Sequence, residues 1–510
     1  MNRRVLGVSI VTVWLGALGW MLIREYRPTA SHVLAEATWS LPPGATYYAL
    51  SLGGQQIGYA SNMVDTLADG IRVEDNMTLE VPVLGELHRT DARTEAWLSR
   101  QLALRSFTAT MRGDIGQFTA KGEVSGDTLL TVDLVSAGST QRLRTPLKRP
   151  IVLPGLLPLQ ATFGNQLRVG NRFSMRMFDP LVMEERDVSM EVTGDSTFVV
   201  PDSAALDPAQ GRWVPARWDT VRAWRVEQNM GGVEVAAWID DLGRIVLAHS
   251  PVGFTMERTA FELAHENFRR RETRGLALET RDLINQTAIA SNVRLADAPL
   301  GTLAVRLEGV TLSGFDLAGG RQALAGDTLR VRSETEAELR ATYRLPSTSP
   351  QHAAYLEPEA LIQSADPRIQ AQARQIAGRI RDPRRVARAL NEWVYDNLRK
   401  EITVSVPSAV QVLESRRGDC NEHTVLYVAL ARAIGLPART AAGLVYVRGR
   451  FYYHAWPEVY LNGWVAVDPT FGQFPADASH LRFTIGGLAR QVELIRLIGR
   501  LKLNVVNPGS

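Results

Sequence analysis

Three side chains in the C-terminal third of the chain could together perform nucleophilic chemistry. They are Cys420, His454 and Asp468, a thiol, an imidazole and a carboxylate in that order. A histidine can take the proton of a thiol, and a carboxylate can fix the tautomer and orientation of that histidine. The set therefore predicts a thiol nucleophile that attacks a carbonyl carbon, provided that the fold brings the three residues together.

The sequence around Cys420 predicts that the thiol lies at the start of a helix. Asp419 followed three residues later by Glu422 is a capping-box pattern, so a helix should begin at Cys420. Residues 425–434 are apolar nearly all round, which indicates a helix buried in the core. The positive end of such a helix favours the thiolate, whereas the carboxylate of Asp419 opposes it.

Two strands should carry the other two residues. His454 lies within the strand-like segment 451–456, and Asp468 ends the strand-like segment 464–468. Gly463 marks a hairpin turn between these segments. If the two strands pair through that turn, His454 and Asp468 should lie near each other on one face of the sheet.

These segments resemble the transglutaminase-like superfamily, especially its microbial membrane-linked members. The resemblance extends over about residues 355–482, and the blocks that carry it are 418–420 with 429–439, 454–459, and 464–470. It implies a papain-like α+β domain with Cys420 as nucleophile, His454 as base and Asp468 as orienting acid. We expect a protein or peptide substrate and no cofactor.

One position departs from the cross-linking members of this superfamily. Animal cross-linking transglutaminases carry Trp directly after the nucleophile, where this chain has Asn421. We therefore expect hydrolysis of an amide or peptide bond through a thioester intermediate, in preference to transfer of the acyl group to an amine. The N–H of Cys420 is the expected first oxyanion donor, and Gln411 is a candidate for the second.

Each of these residues also has a simpler explanation. A lone cysteine is more often a packed residue than a nucleophile, so the domain could be a degenerate scaffold in a non-enzymatic envelope-binding protein. We interpret His423 as a packed residue, and Asp477 and His480 as structural. The sequence contains no phosphate-binding loop, no Gly-x-Ser-x-Gly elbow and no His-Glu-x-x-His motif, and we expect no metal site.

The composition excludes other classes of protein. The chain has 510 residues, 45% of them hydrophobic, and a net charge of +3, which is typical of globular protein. It lacks the basic stripe with interleaved aromatic residues that nucleic-acid-binding proteins carry. Cys420 is the only cysteine, which excludes an internal disulfide and any multi-cysteine metal site.

The N-terminus predicts attachment to a membrane. Residues 5–23 carry no charge and follow Arg3 and Arg4. As a helix they would span roughly 28 Å, close to the hydrocarbon thickness of a bilayer. The two arginines should stay cytoplasmic, which places the rest of the chain in the periplasm or at the cell surface. Removal of this segment as a signal peptide is the alternative.

These patterns together predict a multidomain chain. We expect an anchor helix at residues 1–24 and a large antiparallel β domain at residues 44–261, either curled or packed as a sandwich. A small β module should follow at residues 292–345. The transglutaminase-like α+β domain should occupy residues 355–485.

Overall fold

The computed structural model of the protein describes residues 41–83, 86–230, 233–250, 253–273, 287–296, 298–403 and 406–507. The predicted anchor at residues 1–24 lies outside these ranges. Within them, no helix has both the length and the apolar character that crossing a bilayer requires.

A 14-stranded antiparallel sheet forms the N-terminal half of the described chain. Its strands are β1 Gly44–Leu52, β2 Gln55–Thr66, β3 Ile71–Val83, β4 Glu86–Leu98, β5 Leu104–Gly113, β6 Gly116–Ser125, β7 Leu129–Ser136, β8 Ser139–Pro146, β9 Arg172–Asp179, β10 Glu184–Asp207, β11 Arg212–Met230, β12 Val233–Asp240, β13 Ile245–His249 and β14 Phe254–Thr259. Their order is β8-β7-β6-β5-β4-β3-β2-β1-β14-β13-β12-β11-β10-β9. The prediction of a large antiparallel β region is confirmed.

Alternating apolar residues explain why these segments form strands with one buried face. In β7, Leu130, Val132 and Leu134 are buried while the residues between them are more exposed. Each such side chain stabilises the fold by about 1.5–3 kcal/mol when fully buried. The inward residues of most strands join one hydrophobic core, which also takes in residues 151–159 from the connection between β8 and β9.

The large sheet is strongly curled. Strands β5 and β9 are ten positions apart in the strand order. In a flat sheet that separation would be about 48 Å, at about 4.8 Å per strand. The rings of Phe107 in β5 and Phe178 in β9 nevertheless lie 5.8 Å apart. Of the two predicted packings, the single curled sheet is therefore the one observed.

The remaining strands form two smaller antiparallel sheets and one parallel pair. They are β15 Ile289–Ala290, β16 Thr302–Glu308, β17 Gln322–Ala325, β18 Thr328–Arg332, β19 Arg399–Lys400, β20 Arg417–Gly418, β21 Ala438–Val447, β22 Arg450–Tyr460, β23 Trp464–Ala466, β24 His480–Ile485 and β25 Lys502–Asn507. One sheet has the order β17-β18-β16-β25. The other has the order β15-β22-β21-β24, with β23 paired to β22.

The helices of the described chain are mostly in its C-terminal part. They are α1 Leu157–Phe163, α2 Asn267–Thr273, α3 Pro367–Ala377, α4 Pro383–Asn397, α5 Ala409–Ser415, α6 Cys420–Ala433 and α7 Leu488–Gln491. Short 3-10 or π turns occur at Pro154–Leu156, Glu262–Glu266, Pro350–Tyr355 and Val492–Leu497. Helix α6 contacts α3, α4 and α5 as well as β21 and β22, so it lies in the middle of this region.

The turn between β5 and β6 joins the large sheet to this helical region. Ile115, at the tip of the turn, packs into the hydrophobic core that α3, α4, α5 and α6 share. Beside it, Arg417 donates to the carbonyl oxygen of Asp114 at 2.6 Å, and Gln411 donates to that of Gln117 at 2.7 Å. Because Arg417 is three residues before Cys420, the large sheet directly supports the segment that precedes the thiol.

Candidate active site

Cys420 is the first residue of α6, as the capping pattern predicts. The carboxylate of Asp419 accepts the N–H of Asn421 at 2.8 Å, and the carboxylate of Glu422 accepts the N–H of Asp419 at 3.0 Å. A Cβ atom at Gly418 would lie only 2.2 Å from the Cβ of Glu422, so this cap requires glycine at position 418. The cap thus fixes the position of the thiol at the first residue of the buried helix.

The surroundings of Cys420 favour the neutral thiol. The residue keeps some exposure to solvent, although protein atoms surround its sulfur. Burial, and next the carboxylate of Asp419, raise the pKa of Cys420 well above its usual value, while the N–H of Ala455 donates to the sulfur and opposes the rise. The net effect is opposite to the expected preference of a helix N-terminus for thiolate, because burial penalises the charged form.

His454 and Asp468 meet through the predicted hairpin. Strands β22 and β23 pair with Glu458 opposite Ala466 and Tyr460 opposite Trp464, which confirms the turn at Gly463. His454 Nε2 lies 2.8 Å from Asp468 Oδ2, and both side chains are buried. An ionised carboxylate can only accept, so Nε2 carries the hydrogen and Nδ1 is left to take a proton.

The thiol and the imidazole approach the same stretch of β22. Ala455, whose N–H donates to the Cys420 sulfur, directly follows His454 on the strand. The His454 ring stacks on the ring of Phe471 at 5.0 Å between centroids, which restricts its rotation. The three residues predicted from sequence therefore belong to one local assembly, centred on the middle of β22.

A second histidine, His480, binds the same carboxylate. Its Nε2 lies 2.9 Å from Asp468 Oδ2, and on its other side Nδ1 lies 3.3 Å from Asp477 Oδ1. Burial alone would lower the pKa of His480, but its hydrogen bonds to these two carboxylates outweigh that effect and raise the pKa. The sequence predicts His480 only as a structural residue, because no local pattern connects it with Asp468.

Asp468 is the centre of this network. Its Oδ1 accepts the N–H groups of Thr470 at 2.7 Å and Phe471 at 3.0 Å, while its Oδ2 faces the two histidines. Burial alone would raise the pKa of Asp468, but interactions with His454 and His480 reverse this and hold it well below its usual range. Asp468 is therefore ionised, and hydrogen-bond donors surround both of its carboxylate oxygens.

Among the described residues, His454, Asp468 and His480 also form a group that could ligate a metal. One donor atom from each lies within 4.8 Å of the others. Two histidines and a carboxylate are ligands that zinc or iron accepts. However, the histidine–carboxylate distances of 2.8 and 2.9 Å are those of N–H···O hydrogen bonds, which a metal would have to replace.

Two other residues considered from sequence lie elsewhere. Gln411 directs its amide to the carbonyl oxygen of Gln117 in the large sheet, which argues against the suggested role as second oxyanion donor. His423 is fully buried and its Nδ1 lies 2.6 Å from the carbonyl oxygen of Asp419, so it supports the first turn of α6. Arg439 donates to the buried carboxylate of Glu458 at 2.8 Å.

Two solved structures are similar to parts of this chain at low sequence identity. No curated protein matches the chain. A solved structure described as a candidate cysteine protease from Cytophaga hutchinsonii is 17% identical, with a TM-score of 0.28 over 40% of this chain and 83% of that one. A β-barrel-like protein of a domain family of unknown function, from Brucella abortus, is 12% identical, with a TM-score of 0.31 over 43% of this chain and 95% of that one.

The family comparison concerns the segment that contains the assembly described above. Residues 370–469 match the sequence model of the transglutaminase-like superfamily. This range includes Cys420, His454 and Asp468 and ends just before the turn at Thr470. Residues 370–469 are therefore a transglutaminase-like domain.

Proposed function

We propose that the transglutaminase-like domain is a thiol enzyme that hydrolyses amide or peptide bonds. The observation that carries the proposal is the 2.8 Å hydrogen bond between His454 and Asp468, next to the strand position that contacts the Cys420 sulfur. It orients the imidazole and leaves Nδ1 to exchange a proton with the thiol.

In the first half of the reaction, the Cys420 sulfur attacks the carbonyl carbon while its proton passes to His454 Nδ1. The carbonyl π electrons move to the oxygen, and the N–H of Cys420, in the first turn of α6, is suited to stabilise that oxyanion. The intermediate then expels the amine, which takes the proton from His454. A thioester on Cys420 remains.

In the second half, a water molecule gives a proton to His454 and attacks the thioester carbon. The intermediate expels the sulfur, which regains the proton, so a carboxylic acid leaves and the thiol is restored. Throughout, Asp468 stays ionised and stabilises the imidazolium form of His454. The fixed charge of Asp468, whose pKa lies well below its usual range, suits this role.

Water is the proposed acceptor because Asn421 occupies the position where the cross-linking relatives carry tryptophan. If an amine attacked the same thioester instead of water, the protein would transfer the acyl group to that amine and act as a transferase. The alternative of a non-enzymatic scaffold predicts that no chemistry depends on Cys420.

The test compares the wild-type chain with the Cys420→Ala variant on a mixed peptide library, with and without a primary amine, by mass spectrometry. We expect cleaved or deamidated peptides from the wild type alone. Amine-tagged peptides in their place would make the acceptor an amine, and identical products from two folded proteins would reject the thiol enzyme.

We also propose that residues 5–23 anchor the chain in a membrane with the transglutaminase-like domain on the extracytoplasmic side. The uncharged run after Arg3 and Arg4 supports this orientation. Protease treatment of the full chain in sealed right-side-out vesicles tests this orientation. An extracytoplasmic domain would be digested, whereas a cytoplasmic one would resist the protease.

A further inference from the structure

A cleft of about 250 Å³ lies between the large sheet and the beginning of α6. Residues from both regions line it, and the most informative are Leu143, Val182 and Met183 of the sheet and Asn421, Thr424 and Val425 of the helix. The cleft therefore exists only because the two regions pack against each other.

The helix places this cleft beside the candidate nucleophile. Asn421 directly follows Cys420, and Thr424 is one helical turn further along. Side chains four residues apart on a helix are neighbours, with Cβ atoms roughly 5–6 Å apart. A group bound against Thr424 would thus lie about one helical turn from the Cys420 side chain, although Cys420 itself does not line the cleft.

Two polar atoms of the lining lack partners within the protein. Asn421 Oδ1 and Thr424 Oγ1 are both buried without a hydrogen bond, and Thr424 is only 1% exposed. A buried polar group left without a hydrogen-bond partner destabilises the fold. A ligand that brings an N–H and a C=O, as a peptide group does, would satisfy an amide oxygen and a hydroxyl together.

The rest of the lining is largely apolar. Besides the three sheet residues, Leu361, Ile362 and Leu488 contribute aliphatic surface. An apolar wall with a few polar groups at defined positions is typical of a pocket that binds a side chain and orients the adjoining backbone.

Met183 is held against the cleft by an unusual backbone conformation. It has a φ of +58°, a left-handed value that non-glycine residues rarely adopt. Asp179 fixes the turn, since its carbonyl oxygen accepts the N–H of Met183 and its carboxylate accepts the N–H of Leu181. A flexible thioether side chain in that place can adapt to different apolar groups.

Carboxylates at the edge of the cleft would select against acidic ligands. Glu184 and Glu359 both line it and are both exposed. Glu359 pairs with Arg432 at 2.7 Å, whereas Glu184 adds a negative charge on the sheet side. Because no cationic residue of the described chain lines the cleft, an acidic side chain would find no partner there, whereas an aliphatic one would be accepted.

We propose that this cleft binds an apolar side chain of a peptide substrate, with Asn421 and Thr424 hydrogen-bonding the adjoining peptide group. The large sheet then contributes to substrate recognition through Met183. The catalytic role of this subsite rests on the proposed thiol hydrolysis, whereas peptide binding in the cleft does not depend on it.

The experiment measures binding without turnover. The full chain carrying Cys420→Ala is titrated with two fluorescent pentapeptides that differ only in a central leucine or glutamate, and fluorescence anisotropy reports the Kd. We expect the leucine peptide to bind about tenfold more tightly, a difference of about 1.4 kcal/mol. Met183→Asp and Thr424→Val, each added to Cys420→Ala, should weaken leucine-peptide binding by about tenfold.

Two controls separate recognition from damage to the fold. Thr424→Ser keeps the hydroxyl and should keep the affinity. Met63→Ala removes an exposed methionine of the same sheet, outside the cleft, and should change nothing. Equal affinity for the two peptides, or unchanged binding in Met183→Asp, would overturn the cleft assignment. Selective binding with no turnover by the wild type would retain the cleft and reject hydrolysis.

Discussion

The Nε2 atom of His480 lies 2.9 Å from Oδ2 of Asp468, the same oxygen that His454 contacts at 2.8 Å. His480 is in turn placed by Asp477, so it is held between two carboxylates. Because Asp468 can orient His454 only if its own position is fixed, His480 is a positioning residue for the proposed reaction.

Replacing His480 should therefore slow turnover more than it weakens substrate binding. We expect His480→Gln to lower kcat by about tenfold to a hundredfold, the range typical when a residue that orients a functional group is removed, with little change in KM. Steady-state kinetics on a cleaved peptide measures both constants. The matched control is His352→Gln, which removes a buried histidine bonded to Ser347 elsewhere in the same region. A rise in KM alone would contradict the positioning role.

The same contacts predict how stability depends on pH. The pKa of His480 is raised above 6.5, so its stabilising contribution is complete below pH 6.5 and is lost as the pH rises through the raised value. Burial alone would raise the pKa of Asp477, but its interactions with His480 outweigh this effect and lower the pKa from 3.8 to about 2. The stabilising contribution of Asp477 is therefore lost only as the pH falls below 3.8. The Tm should be highest between these limits and decline towards pH 9.

A thermal-unfolding series from pH 4 to pH 9 checks this dependence. His480→Gln should have a flatter profile above pH 6.5, because glutamine has no proton to lose there. If the variant retains the wild-type decline, other groups are responsible for it.

The parts of the site that depend on neighbouring residues could be predicted from the sequence. The capping box places Cys420 at the start of α6, and the turn at Gly463 brings the strands of His454 and Asp468 together. Both depend on contacts within about fifteen residues. The separated family blocks then relate these two local units to each other.

The parts of the structure that depend on contacts between distant segments could not be predicted from the sequence. His480 reaches Asp468 because β24 pairs with β21, where Val445 is opposite His480. Gln411 contacts Gln117, 294 positions earlier in the chain, which no local pattern indicates. The continuity of the large sheet likewise depends on β1 pairing with β14. The preference of Cys420 for the neutral thiol follows from burial, which the sequence does not specify.

That preference predicts the reactivity of the resting thiol. Burial and Asp419 raise the pKa of Cys420 well above its usual value, so the thiolate fraction should increase by about tenfold per pH unit between pH 7 and pH 9. The rate of alkylation by iodoacetamide should rise in parallel. Asp419→Asn removes a charge that raises this pKa but retains a good N-cap, and it should increase the rate at pH 7. A rate that is already constant below pH 8 would instead indicate a thiolate–imidazolium pair.

Gly418 should be indispensable for the cap that places the thiol. In Gly418→Ala the new Cβ would meet the side chain of Glu422 at 2.2 Å, and the φ of +154° adds strain. We expect a loss of about 1–3 kcal/mol in the free energy of unfolding, together with reduced peptide cleavage. Gly463→Ala is the matched control, since its φ is +138° but no atom lies within 4 Å of the added Cβ. Equal losses in both variants would show that backbone strain alone, and not the clash with Glu422, is responsible.

The large sheet and the transglutaminase-like domain should unfold together, because Ile115 of the β5–β6 turn is 9% exposed and packs in the helical core. Ile115→Ala should lower the free energy of unfolding by about 2 kcal/mol or more. Val199→Ala, at a position 63% exposed on the same sheet, should leave it unchanged. Denaturant unfolding, followed by far-UV circular dichroism and by accessibility of the Cys420 thiol, should give one coincident transition that shifts only in Ile115→Ala. Thiol exposure that precedes the loss of the sheet would show that the transglutaminase-like domain unfolds independently, and the shared core would then contribute little to its stability.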